Sequence, residues 1–118
     1  MRTNARPSTE DVLTPQRQAS MRLVEQGKSS MDSKDYARAA SEFRDAVNVD
    51  TSNGVAYYYL AAADVRLGQP DVAAGLLDKA EALLGADEEW MSKIDVLRSE
   101  LGTPSSTQIV PSPVDRSF

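Results

Sequence analysis

The sequence predicts an all-α chain of antiparallel helical hairpins stacked as repeat units. Three observations lead there. Apolar residues recur at helical spacing, every three or four positions, through five consecutive segments. No segment alternates apolar and polar residues with the period of two that a half-buried strand requires. Small residues return at a constant displacement of 34 positions.

Residues 1–14 are polar, contain Pro7 and read as a loose arm. The folded region is expected over residues 15–102. Thr14-Pro15 marks a helix start: a hydroxyl caps free amides, and proline lacks only an N–H that would be unpaired anyway. Ala19, Leu23, Gly27 and Ser30/Met31 form the stripe of a first helix, to about residue 32. Asp35 caps a second, in which Tyr36, Ala39/Ala40, Phe43 and Ala46/Val47 line one face. It ends near Asp50, before the turn residues Thr51-Ser52-Asn53-Gly54. A third helix runs over about 55–67, and Gly68 supplies a left-handed stop. Pro70-Asp71 opens a fourth, with Ala73, Leu76/Leu77, Ala80 and Leu83/Leu84 on its apolar side and Gly85 at its end. Asp87 caps a fifth, with Glu88 and Glu89 in the first turn, where the helix dipole favours carboxylates. Its stripe is Trp90, Ile94, Leu97 and Leu101, and Gly102 and Pro104 close it. The Ser/Pro-rich stretch 103–118 has too few apolar residues for a core and reads as a flexible or extended tail. Its apolar points, Ile109, Val110, Val114 and Phe118, also make it a candidate ligand for a groove on this or another protein.

Displacing the chain by 34 residues lays Gly27 on Ala61, Ala39 on Ala73 and Ala46 on Ala80. The same shift lays Leu23 on Tyr57, Phe43 on Leu77 and Val49 on Leu83. Helices approach closely only where side chains are small, so these alanines and glycines mark expected contact points. One hairpin cannot bury its apolar face alone, so neighbours must stack. The first unit reads Leu23-x-x-Gln26-Gly27, then Asp35-Tyr36-x-x-Ala39-x-x-x-Phe43-x-x-Ala46. The second reads Tyr57-x-x-Leu60-Ala61, then Ala73-x-x-x-Leu77-x-x-Ala80. This pattern resembles the tetratricopeptide repeat family. The resemblance implies a fragment of a right-handed α-solenoid: one repeat over about 20–53, a second over about 54–87, and a capping helix over about 88–101. It departs from the family pattern in places. Ser30 and Asp64 stand where a tyrosine is expected, and Thr51 and Gly85 where a closing proline is expected.

Composition narrows the function. The chain has no histidine and no cysteine, which removes the commonest general base, thiolate ligands and disulfides. Its acid pairs sit at helix ends, where capping explains them, so no enzyme, metal or cofactor is expected. The net charge of −5 is carried by residues 15–102, because the charges of the two ends cancel. Such a surface repels phosphate backbones, so nucleic acid is not an expected partner. No apolar run approaches the ~20 residues that span a bilayer. A cytoplasmic protein fits this sequence, as does an exported one whose signal has been removed.

What remains is a non-catalytic adaptor that binds another protein or peptide; a self-associating structural subunit is the second reading. No small-molecule substrate is expected. In the solenoid that the resemblance implies, the first helix of each pair lines a concave surface. The expected groove residues are then Val24, Lys28 and Met31 in the first unit, and Val55, Tyr58, Tyr59, Ala62, Val65 and Arg66 in the second, with Lys93 continuing the line from the capping helix. The run Tyr57-Tyr58-Tyr59 is the most informative segment. Successive helical residues are about 100° apart, so three tyrosines in a row cannot share one face. Tyr57 falls on the packing stripe, and Tyr58 and Tyr59 point elsewhere. The carboxylate-clamping members of the family use lysine, asparagine and arginine at groove positions. Here those positions hold Val24, Lys28, Tyr59, Glu89 and Lys93, so no such clamp is expected; an extended segment or an amphipathic helix suits the groove better.

Overall fold

Local hydrogen bonding sets most of the helix boundaries. In the computed structural model, which describes residues 13–102, Thr14 Oγ1 accepts from the Arg17 amide at 3.0 Å and starts α1 (Pro15–Asp32). The Asp35 carboxylate accepts from the Arg38 amide at 3.2 Å and starts α2 (Tyr36–Val49). Asn53 Oδ1 accepts from the Ala56 amide at 3.3 Å and starts α3 (Gly54–Arg66). Pro70 opens α4 (Pro70–Leu84), and Asp87 Oδ1 accepts from the Glu89 and Trp90 amides to start α5 (Glu88–Gly102). Among the described residues there is no strand. The expected arm over residues 1–12 and the tail over 103–118 lie outside the described residues.

Two helices end alike. Gly68, at φ +78°, closes α3: its amide donates to the Val65 carbonyl and that of Gln69 reaches back to the Asp64 carbonyl. Lys34, at φ 63°, closes α1 in the same way, its amide donating to Met31 and that of Asp35 to Ser30. Gly85 also ends a helix, but in a right-handed conformation (φ −63°).

Each helix packs on the next in the chain, and α3 also touches both α1 and α5. Two apolar centres result. Val24, Phe43, Leu60 and the alanines Ala39, Ala40, Ala46, Ala56 and Ala63 fill the first, between α1, α2 and α3. Tyr57, Ala61, Ala73, Leu77, Ala80, Ile94 and Leu97 fill the second, between α3, α4 and α5. Helix α3 serves both, which is why it is apolar nearly all round rather than striped.

The stripe of α1 differs from the sequence expectation by one residue. Ser20, Val24 and Gly27 are the buried positions, whereas Ala19 and Leu23 are only half-buried. Ser20 can face inward because its polar atom is satisfied: its hydroxyl donates to the Ala46 carbonyl at 2.7 Å and accepts from Asn53 Nδ2 at 2.9 Å. Beside it Arg17 pairs with Asp50 and donates to Ser52, so the α2–α3 turn is tied to the start of α1.

Candidate functional site

Glycine at position 27 begins the assembly of the site. A Cβ there would run into the Phe43 ring, so only a bare backbone lets that ring come so close to α1. Phe43 is fully buried, and Tyr59 stacks on it with centroids 5.5 Å apart and planes 22° from parallel. Tyr58 meets Tyr59 edge-on at 5.1 Å and 82°. Trp90, arriving from α5, meets Tyr58 at 5.3 Å and 68° and Tyr59 at 6.1 Å and 87°. Edge-to-face contact places the positive ring edge against the negative face of its neighbour, which favours this arrangement beyond area burial. All three rings are half-buried.

Two lysines flank the cluster. The Lys28 ammonium of α1 lies 5.4 Å from the Tyr59 centroid, and that of Lys93 of α5 lies 4.7 Å from Trp90. Lys28 also pairs with Glu25 at 3.4 Å, an exposed contact of little energetic weight. Burial, followed by the nearby Tyr59 and Glu100, pushes the Tyr58 phenol above its ordinary value, so it is a neutral hydrogen-bond donor at any physiological pH. The surface is thus an apolar, ridged patch with a cation at either end.

The expected groove residues divide. Lys28, Tyr58, Tyr59 and Lys93 come together here, from α1, α3 and α5. Met31 and Val55 are half-buried against the first apolar centre, and Ala62 and Val65 against the second, so they support the patch more than they line it. Arg66 turns elsewhere: its guanidinium lies 6.0 Å from the Tyr36 ring at the start of α2. Val24 is a correction. It is fully buried in the first core, because the polar Ser20 takes part in the packing face and rotates the stripe of α1 onto it. Trp90 was not among the expected groove residues. Its spacing to Ile94 and Leu97 assigns it to the packing stripe of α5, yet it faces Tyr58 and Tyr59. The one available signal was its type, since tryptophan is enriched among the anchors of protein interfaces.

The chain matches no family model, no curated protein and no solved structure.

Proposed function

We propose that this chain is a tetratricopeptide-like, non-catalytic binding module. It holds a segment of another protein, extended or helical, across the Tyr58–Tyr59–Trp90 surface. The observation that carries this reading is the convergence of three half-buried aromatic rings from α3 and α5, with lysines of α1 and α5 at the edges. Tyrosine and tryptophan offer large rigid contact area at small entropic cost, and half-buried rings of this kind form the anchors of protein interfaces. The repeat reading draws support from the backbone as well. Lys34 and Gly68 stand 34 positions apart, and both close a helix in the left-handed conformation. The side-by-side contacts of α1 with α3 and of α3 with α5 are those that stacked hairpins require.

The test is capture of a partner by the full chain, identification of the bound protein, and titration with variants. Tyr58→Ala and Trp90→Ala are each expected to weaken binding by about 2 kcal/mol or more, roughly thirtyfold. The thermal melt should stay cooperative in both. Wild-type affinity in the two variants rejects the proposal.

A further inference from the structure

We propose that a second copy of this chain docks on the outward face of α5. The two α5 helices run antiparallel about a two-fold axis at Val96, with Lys93 of each copy against the partner's Glu100. This goes beyond the binding reading of the aromatic surface and does not depend on it.

The packing of α5 defines the face. Ile94 and Leu97 are buried in the second apolar centre, and Trp90 and Leu101 are half-buried on the same side of the helix. There α5 touches α3 and α4. Opposite lie Ser92, Val96 and Ser99, with Lys93 and Glu100 beside them, and all five are exposed. Val96, at 63% exposure, is the most exposed large apolar side chain among the described residues. A single valine among polar side chains is ordinary on a surface. What marks this one is the order of the groups around it.

A helix that docks on a copy of itself must set each group against its complement after a half-turn rotation. On α5, Lys93 precedes Val96 by three positions and Glu100 follows it by four, about 4.5 Å and 6 Å along the axis. Both lie on one side of Val96, within about 60° of it around the helix. A two-fold axis normal to the plane of two antiparallel helices reverses direction along them but keeps each side on its own side. It therefore brings the partner's Glu100 level with Lys93 to within about 1.5 Å along the helix. Two opposite-charge pairs form at once. On the other side of Val96 the same rotation sets Ser92 beside the partner's Ser99, with no charge to bury. The Ser99 hydroxyl already donates to the Val96 carbonyl at 2.6 Å. The strip is complementary to itself only in this antiparallel sense, because a parallel copy would set lysine on lysine and glutamate on glutamate. The net charge of −5 opposes association, and a single helix pair buries less than the ~1,200 Å² of a stable interface, so the dimer is weak. Glu100 is near enough to raise the Tyr58 phenol and Lys93 lies over Trp90, so the charged side of the strip is also the aromatic side. The dimer accordingly places its two Tyr58–Tyr59–Trp90 surfaces side by side, facing the same way.

Sedimentation equilibrium of the full chain, from about 10 µM to about 1 mM at low salt, reads the association. Expected is a weight-average mass that climbs from one chain toward two as concentration rises. Val96→Asp should remove the rise and the milder Val96→Ser should weaken it; the position is exposed, so both melts should match the parent. Charge variants fix the register. K93E and E100K should each associate roughly tenfold more weakly, since each turns two attractions into repulsions. An equimolar mixture of the two should associate about as well as the parent, because every pair across the axis is again opposite in charge. A monomer mass at every concentration overturns the inference. So does dimerisation that survives Val96→Asp, or a mixture that associates no better than its components. The readout is mass alone, so the outcome is independent of whether Tyr58→Ala or Trp90→Ala weakens partner capture.

Discussion

Gly27 and Phe43 pack closely where α1 meets α2, with consequences for both stability and the site. Gly27→Ala would push a methyl into the Phe43 ring, which is held by Tyr59 behind it and cannot withdraw freely. Overpacking of this kind costs about 1–3 kcal/mol, read as a lower urea midpoint at unchanged slope. Lys34 is the opposite case. A lysine held at φ 63° is strained where its counterpart Gly68 is not, so Lys34→Gly is expected to stabilise the chain by about 0.5–1 kcal/mol in the same measurement. Asp64 is 4% exposed, and among the described residues no hydrogen bond reaches its carboxylate. Burial raises its pKa, and the opposing attraction of Arg44 does not restore it. A folded pKa above the ordinary 3.8 means that folding favours the protonated acid. The stabilising protonated form is complete below that value and is lost as pH rises through the folded pKa; beyond it the buried charge is a constant burden. Asp64→Asn should therefore melt a few degrees higher than the parent at pH 7 and converge with it near pH 3. A difference unchanged across that range would refute the assignment.

At the scale of elements, caps and stops were legible because each depends on residues within one helical turn. Thr14, Asp35 and Asp87 cap as their side chains dictate, and Gly68 stops α3 as its freedom allows. The phase of α1 was not legible. Leu23 and Val24 are both apolar, and choosing between them depends on Ser20, a polar residue that turns inward only because Ala46 and Asn53 offer it partners from other elements. Asn53 had read as a plain turn residue; it is buried, caps α3 and bonds to α1 at once. The two residues that stand at the expected tyrosine positions also differ in outcome. Ser30 is satisfied by Glu42 at 2.7 Å, whereas Asp64 is left with only the more distant Arg44.

For the whole molecule, the sharing of α3 between the two apolar centres sets the cooperativity. Neither centre can dissolve without exposing one side of α3, so the two hairpins should not melt separately. Trp90 emission, reporting from α5, and far-UV dichroism, reporting from all helices, are expected to give coincident transitions. Ile94→Ala, which empties a fully buried position where α5 joins the second centre, should lower both midpoints together by about 2–5 kcal/mol of stability. Transitions that separate would show α5 to be an independent element.

Periodicity and capping residues by themselves determined five helices, their order and the places where backbones come close. These properties are local: each follows from side chains that share a turn or a face of one helix. The meeting of Tyr58 and Tyr59 with Trp90 was decided only in three dimensions. Which way Trp90 faces depends on how α5 crosses α3, and that crossing depends on Ile94 and Leu97 packing beside Tyr57 and Leu77. No pattern within α5 contains that information, because the partners that turn its first residues toward the aromatic surface belong to helices more than one turn of sequence away.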